Sequence, residues 1–425
     1  MDTHHSTASK PSSASMVFSA GTYFIHFMAL GFGSFPLQTH LRQTLSPATA
    51  SLITSVIPLA ACLTYFFFRF AERQGWTRSP QRLLVAMAGA VCLMQLALGW
   101  KLQSIAADSW WLGPGIDAAV CLLLLGCVQS SCMTLLNHIG VATMGSHAYT
   151  VRAAGSAGYM LAVILLGAIG ASEQRVSEVH LYVGAAFSLF HMLFAMVIFS
   201  WMQRVDGTLA RNEAVQHREA SGTGQESHLG EHAPVHRTTP LRWWGLLALV
   251  WMVAMCEMSY GLYAHEFLTT TYGSAGYFVF AGSIALEIAL LLVMPVFPAL
   301  KQRLLFVGPV GWMTLMAGCL MALSGWPAMG FCAAALALNC PFQVSANEHA
   351  HRMSPSLVGL ASMTLAQSIG YMSATILSAL LSVQGGGPVR LWSVMVPVAS
   401  TALLLAFWQM AKDREGASNP ALAPR

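Results

Sequence analysis

Hydrophobic residues form long, nearly unbroken blocks along this chain, each about 20 residues long. An α-helix needs that length to cross roughly 30 Å of hydrocarbon. The blocks cover residues 16–37, 48–70, 83–102, 116–144, 153–171 and 181–202, and then 241–265, 275–300, 304–323, 328–347, 357–383 and 391–410. The pattern predicts an all-α integral membrane protein with about twelve transmembrane helices in two six-helix bundles.

Polar segments divide the chain into five parts. Residues 203–240 form the longest polar stretch in the interior, and we interpret them as a cytoplasmic linker. The linker separates an N-terminal six-helix bundle at 16–202 from a C-terminal six-helix bundle at 241–411. Residues 1–15 and 412–425 are predicted to be cytoplasmic tails. The linker histidines His217, His228, His232 and His236 match no tight ligand spacing, so a solvated loop is favoured over a metal site.

Composition supports a membrane protein. Hydrophobic residues make up 56% of the 425 residues and charged residues 9%, whereas soluble domains carry about 25% charged residues. The formal net charge of +4 is small and spread over loops, so the chain lacks the basic patch of a nucleic-acid-binding protein. The lipid bilayer is the expected partner, and we expect a monomer.

The distribution of basic residues predicts the orientation in the membrane. With twelve spans, all but four of the 21 Lys and Arg residues fall on one side, and the exceptions are Arg42, Lys101, Arg175 and Arg390. Cytoplasmic loops carry an excess of basic residues. We therefore expect a multi-pass protein of the bacterial inner membrane or plasma membrane with both termini in the cytoplasm.

The loop after the second block contains Glu72, Arg73 and Gly75, in the order acidic, basic, any residue, glycine. This order resembles the cytoplasmic signature of the major facilitator superfamily, in which a glycine and three residues precede Asp-Arg-x-Gly and two basic residues follow. Phe68 stands at the first glycine position and Trp76 at the first basic position. The resemblance implies two halves that alternate access to a central site, with Glu72, Arg73 and Gly75 in a gating contact.

A second motif opens the fifth block, where Arg152, Gly155, Gly158 and Tyr159 follow the order Arg-x-x-Gly-x-x-Gly-aromatic. It resembles a stretch of the lactose-permease and nucleoside-symporter branch of that superfamily. In the sugar permeases of the branch this arginine binds substrate hydroxyls, so the resemblance implies a substrate-binding role for Arg152. Residues 130–138 offer no carboxylate of the kind that pairs with the arginine there. The two glycines allow close helix packing.

Polar residues inside the predicted spans recur at helical spacing, which indicates a polar path between the helices. The stripes comprise Ser130, Thr134, Asn137 and His138 on the fourth span, Asn339, Gln343 and Asn347 on the tenth, and Thr364, Gln367, Ser368 and Tyr371 on the eleventh. The candidate substrate-binding residues are Arg152, Tyr23, His138, Asn137, Tyr260, Asn339, Gln343, Gln367 and Tyr371. Hydrogen bonding between packed helices is the alternative role for any one of them.

Three ionisable residues deep in the spans, Glu287, Glu257 and His26, are the candidate proton-coupling groups. A charged carboxylate is costly at membrane depth, so Glu287 can take up and release a proton during a transport cycle. Glu257 can pair with Tyr260 or with Arg152, and an imidazole such as His26 suits proton traffic near neutral pH. The alternatives are a locked helix contact for Glu287 and a neutral, hydrogen-bonded imidazole for His26.

The sequence favours a secondary active transporter over a membrane enzyme or a channel. It contains no HExxH, GxSxG or Walker A motif and no repeated pore-lining ring. We expect proton-coupled symport of a small polar organic solute, sugar- or nucleoside-like, without a cofactor or a bound metal. The alternatives are proton-antiport export of an amphipathic compound and, on the soft ligands Met252, Met255, Cys256, Met258 and Cys132, copper transport.

Overall fold

A computed structural model of the chain describes residues 13–44, 53–103, 113–144, 147–168, 179–220, 240–264, 267–268, 270, 275–297, 303–323, 335–354, 356–383 and 387–418. The first half of this described part holds α1 (Ser13–Thr44), α2 (Val56–Arg73), α3 (Pro80–Gln103), α4 (Gly113–Met144), α5 (Ala148–Ala168) and α6 (Val179–Ala220). The second half holds α7 (Pro240–Gly261), α8 (Ala275–Val293), α9 (Leu304–Leu323), α10 (Asn339–Met353), α11 (Leu357–Val383) and α12 (Gly387–Ser418). Short 3-10 turns, Trp76–Arg78 and Met294–Val296, follow α2 and α8.

Nine of the described helices are long and apolar enough to cross a bilayer. They are α1, α3, α4, α5, α6, α7, α9, α11 and α12, and α8 adds the shorter apolar segment Phe278–Val293. This result confirms the prediction of an all-α, multi-pass membrane protein. The twelve helices also follow the predicted blocks one by one along the chain.

Two helix ends depart from the predicted boundaries of the polar segments. α6 continues to Ala220, so the first part of the predicted linker is helical, because Ala, Arg, Glu and Gln in this stretch are good helix formers. α12 likewise continues to Ser418, into the predicted C-terminal tail. The rest of the linker and of the tails, residues 221–239, 1–12 and 419–425, lies outside the described residues.

The helix contacts of the first half recur in the second half, between the helices whose numbers are higher by six. In the first half α1 packs against α5 and α6, and α3 packs against α4 and α6. In the second half α7 packs against α11 and α12, and α9 packs against α10 and α12. The two halves are therefore bundles of the same internal design, an arrangement known from transporters built from structural repeats.

The halves contact each other mainly through two helix pairs, α2 with α11 and α5 with α8. Leu357 and Ala361 at the start of α11 join a buried cluster of the first half that includes Phe68. Tyr149 at the start of α5 joins a second buried cluster with Leu291 of α8. These residues lie towards the end of the molecule where α2 ends and α5 and α11 begin, so apolar side chains contribute to the interface at that end.

Two glycines allow paired helices to approach each other to backbone contact. A Cβ atom at Gly158 on α5 would collide with the carbonyl oxygen of Phe24 on α1, and a Cβ atom at Gly370 on α11 would collide with the carbonyl oxygen of Trp251 on α7. The two sites are equivalent under the shift of six helices. Both stand in the same four-residue pattern, Ser-x-Gly-Tyr, at residues 156–159 and 368–371. Small residues at such positions stabilise helix packing in membranes.

Candidate functional site

A cavity of about 310 Å³ lies between the two halves. The polar residues of the first half that line it are Tyr23, His26, Thr54, Gln129, Ser130, Asn137 and Arg152. Those of the second half are Glu257, Gln343, Asn347, Thr364, Gln367, Ser368 and Tyr371. The structure thus brings members of all three polar stripes to one cavity, together with Arg152 and Glu257.

Arg152 faces the second half of the molecule from α5. Its guanidinium carbon lies 3.9 Å from the centroid of the Phe27 ring on α1, a cation–π contact. Its Nη1 atom is buried and has no hydrogen-bond partner among the described residues. Arg152 also interacts electrostatically with Glu257 and Glu287 of the second half. The guanidinium of Arg152 therefore carries a buried donor that the described residues leave unpaired.

Glu257 on α7 is surrounded by uncharged hydrogen-bonding groups. Gln343 Nε2 on α10 lies 3.4 Å from Glu257 Oε1 and 3.3 Å from Glu257 Oε2. The side chains of Tyr371, Asn339 and Gln367 also hydrogen-bond with the carboxylate, and Gln367 Nε2 donates to the Tyr371 hydroxyl at 2.6 Å. These bonds join α7, α10 and α11 into one polar network, whose members strengthen one another in a low-dielectric interior.

Glu287 on α8 lies at the contact between the halves and is not part of the cavity wall. The Ser156 hydroxyl on α5 donates a hydrogen bond to Glu287 Oε1, and Cys340 on α10 hydrogen-bonds with the same carboxylate. Arg152 interacts with it electrostatically. Because Ser156 follows Arg152 by four residues, both side chains lie on one face of α5. That face presents a cation and a hydroxyl to Glu287.

Tyr23 and His26 on α1 lie beside Arg152 in the cavity wall. The Tyr23 hydroxyl donates to Asn137 Oδ1 on α4 at 3.1 Å. The His26 ring packs against the ring of His191 on α6, with their centroids 5.4 Å apart. Arg152 interacts electrostatically with both Tyr23 and His26. Three of the predicted first-half residues and Arg152 therefore share one wall.

Two predicted substrate-binding residues of the second half lie outside the cavity wall. Tyr260 packs in the hydrophobic core, where its ring centroid is 6.1 Å from that of Trp312 and 6.5 Å from that of Trp392. Asn339 accepts a hydrogen bond from Trp312 Nε1 at 2.9 Å. Asn339 is connected to the cavity wall through its hydrogen bond with Glu257. Tyr260 faces α9 and α12 instead.

The predicted stripe on α4 also contacts the second half directly. The hydroxyl groups of Thr134 and Thr364 are 2.8 Å apart. His138 is likewise absent from the cavity wall, and its ring lies against that of His351 on α10, with centroids 6.1 Å apart. Thr134 and His138 therefore belong to the contact between the halves.

The predicted gating residues lie at the end of α2. Glu72 and Arg73 are exposed. Gly75 has a φ of 73°, a left-handed conformation that glycine adopts without strain, and its N–H donates to the Glu72 carbonyl at 3.0 Å. The glycine therefore ends the helix, and the two charged side chains stand on the surface at this end of the first half.

Three residues of the site, Ser156, Cys340 and Phe27, are not identified by the sequence. The spacing of four from Arg152 is the one signal that could point to Ser156. Cysteine and phenylalanine are ordinary filling of membrane helices. Only the packing of the helices shows that Phe27 lies under Arg152 and that Cys340 lies beside Glu287.

Comparisons with known proteins cover most of the chain. The profile of the MFS_1 like family matches residues 17–347. Among solved structures, a mutant of the nucleoside transporter NupG is similar with a TM-score of 0.59 and 14% sequence identity, over 93% of this chain and 99% of that chain. The nucleoside transporter NupG itself is similar with a TM-score of 0.55 and 14% identity, over 93% of this chain and 98% of that chain. No curated protein matches the sequence significantly.

Proposed function

This chain belongs to the MFS_1 like family, and we propose that its transport activity is proton-coupled symport of a small polar organic solute, sugar- or nucleoside-like. The family match confirms the resemblance to the major facilitator superfamily. The chain is a multi-pass membrane transporter and not an enzyme. The solute and the coupling ion are the parts that we propose.

The observation that carries the proposal is one arginine of the first half facing two carboxyl groups of the second half. Arg152 interacts with both Glu257 and Glu287. If both carboxyl groups were ionised, the three side chains would carry a net negative charge at membrane depth, which is costly. One bound proton removes that charge. Arg152 belongs to the first half and both carboxyl groups to the second, so movement of one half against the other would change their separation; this arrangement supports a role for the carboxyl groups in binding and releasing the proton.

The cavity wall supports a polar, neutral solute. Arg152, Gln343 and Gln367 supply hydrogen-bond donors, and Asn137 and Glu257 supply acceptors, which together suit hydroxyl groups and the edges of a nucleobase. A volume of about 310 Å³ lies at the lower end of the range for small-molecule sites, roughly 300–1,000 Å³. NupG is a nucleoside transporter, so nucleosides are the first solutes to test.

The test is uptake of radiolabelled nucleosides and sugars into proteoliposomes, with and without an inward proton gradient. We expect the wild type to accumulate one of these solutes only when the gradient is present. Glu287→Gln keeps passive equilibration and loses gradient-driven accumulation. Arg152→Ala lowers kcat/KM by roughly 10- to 100-fold, because it removes hydrogen bonds from a charged group.

Asp117→Asn is the matched control for Glu287→Gln. Asp117 is exposed and forms an ion pair with Lys101 at 2.6 Å, away from the cavity, so uptake is expected to stay unchanged. Equal gradient-driven accumulation in wild type and Glu287→Gln would contradict the role of Glu287. Efflux of an amphipathic compound against its gradient, with no accumulation of any polar solute, would replace symport by export.

A further inference from the structure

Three side chains that commonly bind metals meet inside the first half. His26 on α1, Cys132 on α4 and His191 on α6 offer ligand atoms that all lie within 4.8 Å of one another. Their exposed fractions are 3%, 0% and 1%, respectively. The three residues are far apart in the sequence, so only the folded bundle brings them together.

The two imidazole rings each retain an unsatisfied nitrogen. His26 Nε2 and His191 Nε2 are both buried, and neither has a hydrogen-bond partner in the part of the chain that the structure describes. Buried polar groups are nearly always hydrogen-bonded, and leaving one unpaired costs about 1–3 kcal/mol. An ion bound between the two rings and the Cys132 sulfur would satisfy them. Two imidazoles and a thiol are a ligand set for soft and borderline metals.

The charge of the metal ion distinguishes among the soft and borderline metals that this ligand set could bind. A site inside a membrane bundle is least costly when the ion and its ligands are neutral together. A monovalent cation neutralises one thiolate, whereas a divalent cation leaves one positive charge. Arg152 is close enough to His26 to interact with it electrostatically, so a further positive charge is disfavoured there. Among soft monovalent ions, Cu(I) prefers thiolate and accepts imidazole.

We propose that His26, Cys132 and His191 form a three-coordinate site for Cu(I). Bonds of about 2.0 Å to nitrogen and about 2.3 Å to sulfur place the ligand atoms of a trigonal site roughly 3.5–3.8 Å apart. Small side-chain rotations therefore close the site around the ion. On binding, the thiol proton leaves to solvent and a copper–sulfur bond forms, with no change of oxidation state.

The route to the site is the central cavity. His26 lines that cavity, whereas Cys132 and His191 lie behind it, so an ion in the cavity meets His26 first. All three ligands belong to the first half, and the site therefore persists when the halves move relative to each other. The proposal goes beyond solute symport and does not depend on it.

The experiment measures Cu(I) bound by the purified full-length protein in detergent. The protein is loaded anaerobically with Cu(I), and its affinity is measured by competition with a chromophoric Cu(I) chelator. We expect one tightly bound ion with nitrogen and sulfur neighbours in the copper X-ray absorption spectrum. Cys132→Ser removes the sulfur neighbour and lowers the affinity about 100-fold or more, since even changes beside metal ligands cost about 10- to 100-fold. His191→Gln lowers the affinity as well and keeps the sulfur.

Cys256→Ser is the matched control. Cys256 is fully buried in the second half and its thiol donates to the Met395 carbonyl, next to the methionines of α7 that also suggest soft-metal binding. Loss of tight binding in Cys256→Ser, or its retention in both Cys132→Ser and His191→Gln, would overturn the proposal. Tighter binding of Zn²⁺ than of Cu(I) would overturn the choice of a monovalent ion.

Discussion

Glu257 and Arg152 differ in how far the protein itself satisfies them. The Glu257 carboxylate is hydrogen-bonded by four uncharged side chains of the second half, whereas Arg152 Nη1 is buried with no partner among the described residues. The carboxylate is therefore held in place before any ligand arrives. The arginine is oriented by its contact with the Phe27 ring, and one of its donors has no partner among the described residues. We infer that the solute binds to Arg152 and contacts the hydrogen-bond network around Glu257.

Tyr371→Phe tests that network. The Tyr371 hydroxyl accepts a hydrogen bond from Gln367 at 2.6 Å and hydrogen-bonds with Glu257. Removal of the hydroxyl group therefore removes both hydrogen bonds. A hydrogen bond contributes about 0.5–1.5 kcal/mol. We therefore expect the solute concentration for half-maximal uptake to rise roughly 2- to 10-fold. The measurement is the concentration dependence of uptake into proteoliposomes.

Tyr260→Phe is the control for this substitution, because Tyr260 is a buried tyrosine of the same half that lies outside the cavity wall. Its half-maximal concentration is expected to match that of the wild type. An equal effect of the two substitutions would show that general loosening of the second half, and not the bond to Glu257, changes solute binding.

At the scale of single residues, the sequence locates groups that are costly in a membrane but not their partners. Arg152, Glu257 and Glu287 stand out because ionisable groups at depth are rare. Tyr260 was expected near Glu257, since the two are three residues apart. The packing of α7 against α9 and α12 instead turns Tyr260 towards Trp312 and Trp392. Partners depend on helix rotation, which the polar pattern of one helix does not determine.

Helices α5 and α11 carry the same packing motif in the two halves. Each contains a Ser-x-Gly-Tyr pattern, and each glycine lies against a carbonyl oxygen of its paired helix, α1 or α7. The tyrosine that follows is Tyr371 in the second half, which hydrogen-bonds with Glu257, and Tyr159 in the first half, which interacts electrostatically with Glu257 and Glu287. Each half therefore supplies a tyrosine next to the close helix contact, and both tyrosines interact with Glu257.

Gly158→Ala tests this close contact. The added methyl group meets the Phe24 backbone, which cannot move as a flexible side chain can. Overpacking of this kind costs about 1–3 kcal/mol, so we expect lower thermal stability of the detergent-purified protein. The check is a thermal unfolding curve. Gly282→Ala, where a Cβ atom meets nothing within 4 Å, should leave the curve unchanged or raise its midpoint, because alanine favours helix more than glycine does.

Helix boundaries are predictable where an apolar block ends in polar residues on both sides. The predicted spans 304–323 and 357–383 have the same bounds as α9 and α11. Hydropathy cannot find the end of α6, because the helix continues through polar residues with high helix propensity to Ala220. The predicted tenth span likewise differs from α10 (Asn339–Met353), which is shorter and carries polar residues along its length. Burial of Phe342, Val344 and Ala346 inside the protein, and not hydropathy, stabilises α10.

The whole molecule consists of two bundles whose cores are largely separate. The repeat of helix pairs after six helices and the buried clusters within each half indicate two structural units of similar design. The bundles share fewer contacts, chiefly α2 with α11 and α5 with α8. Arg152, Ser156 and Glu287 lie at the second of these contacts, so rocking of the halves acts directly on the proposed proton site.

The two-bundle architecture could be predicted because twelve apolar blocks and one long polar segment are sufficient to define it. The asymmetric distribution of basic residues adds a predicted orientation. The sequence predicts the polar stripes that line the cavity but not the shape of the cavity. That shape depends on how far apart the two bundles are. The meeting of His26 with Cys132 and His191 could not be predicted, because no spacing links residues on three separate helices.

The central claim is that solute and proton move together in the same direction. The most direct measurement follows the internal pH of proteoliposomes, with a trapped fluorescent dye, after a transported solute is added outside without any imposed gradient. Symport predicts acidification of the interior with wild type and no such change with Glu287→Gln. An alkaline shift, which antiport produces, or solute entry with unchanged internal pH in the wild type would contradict the account.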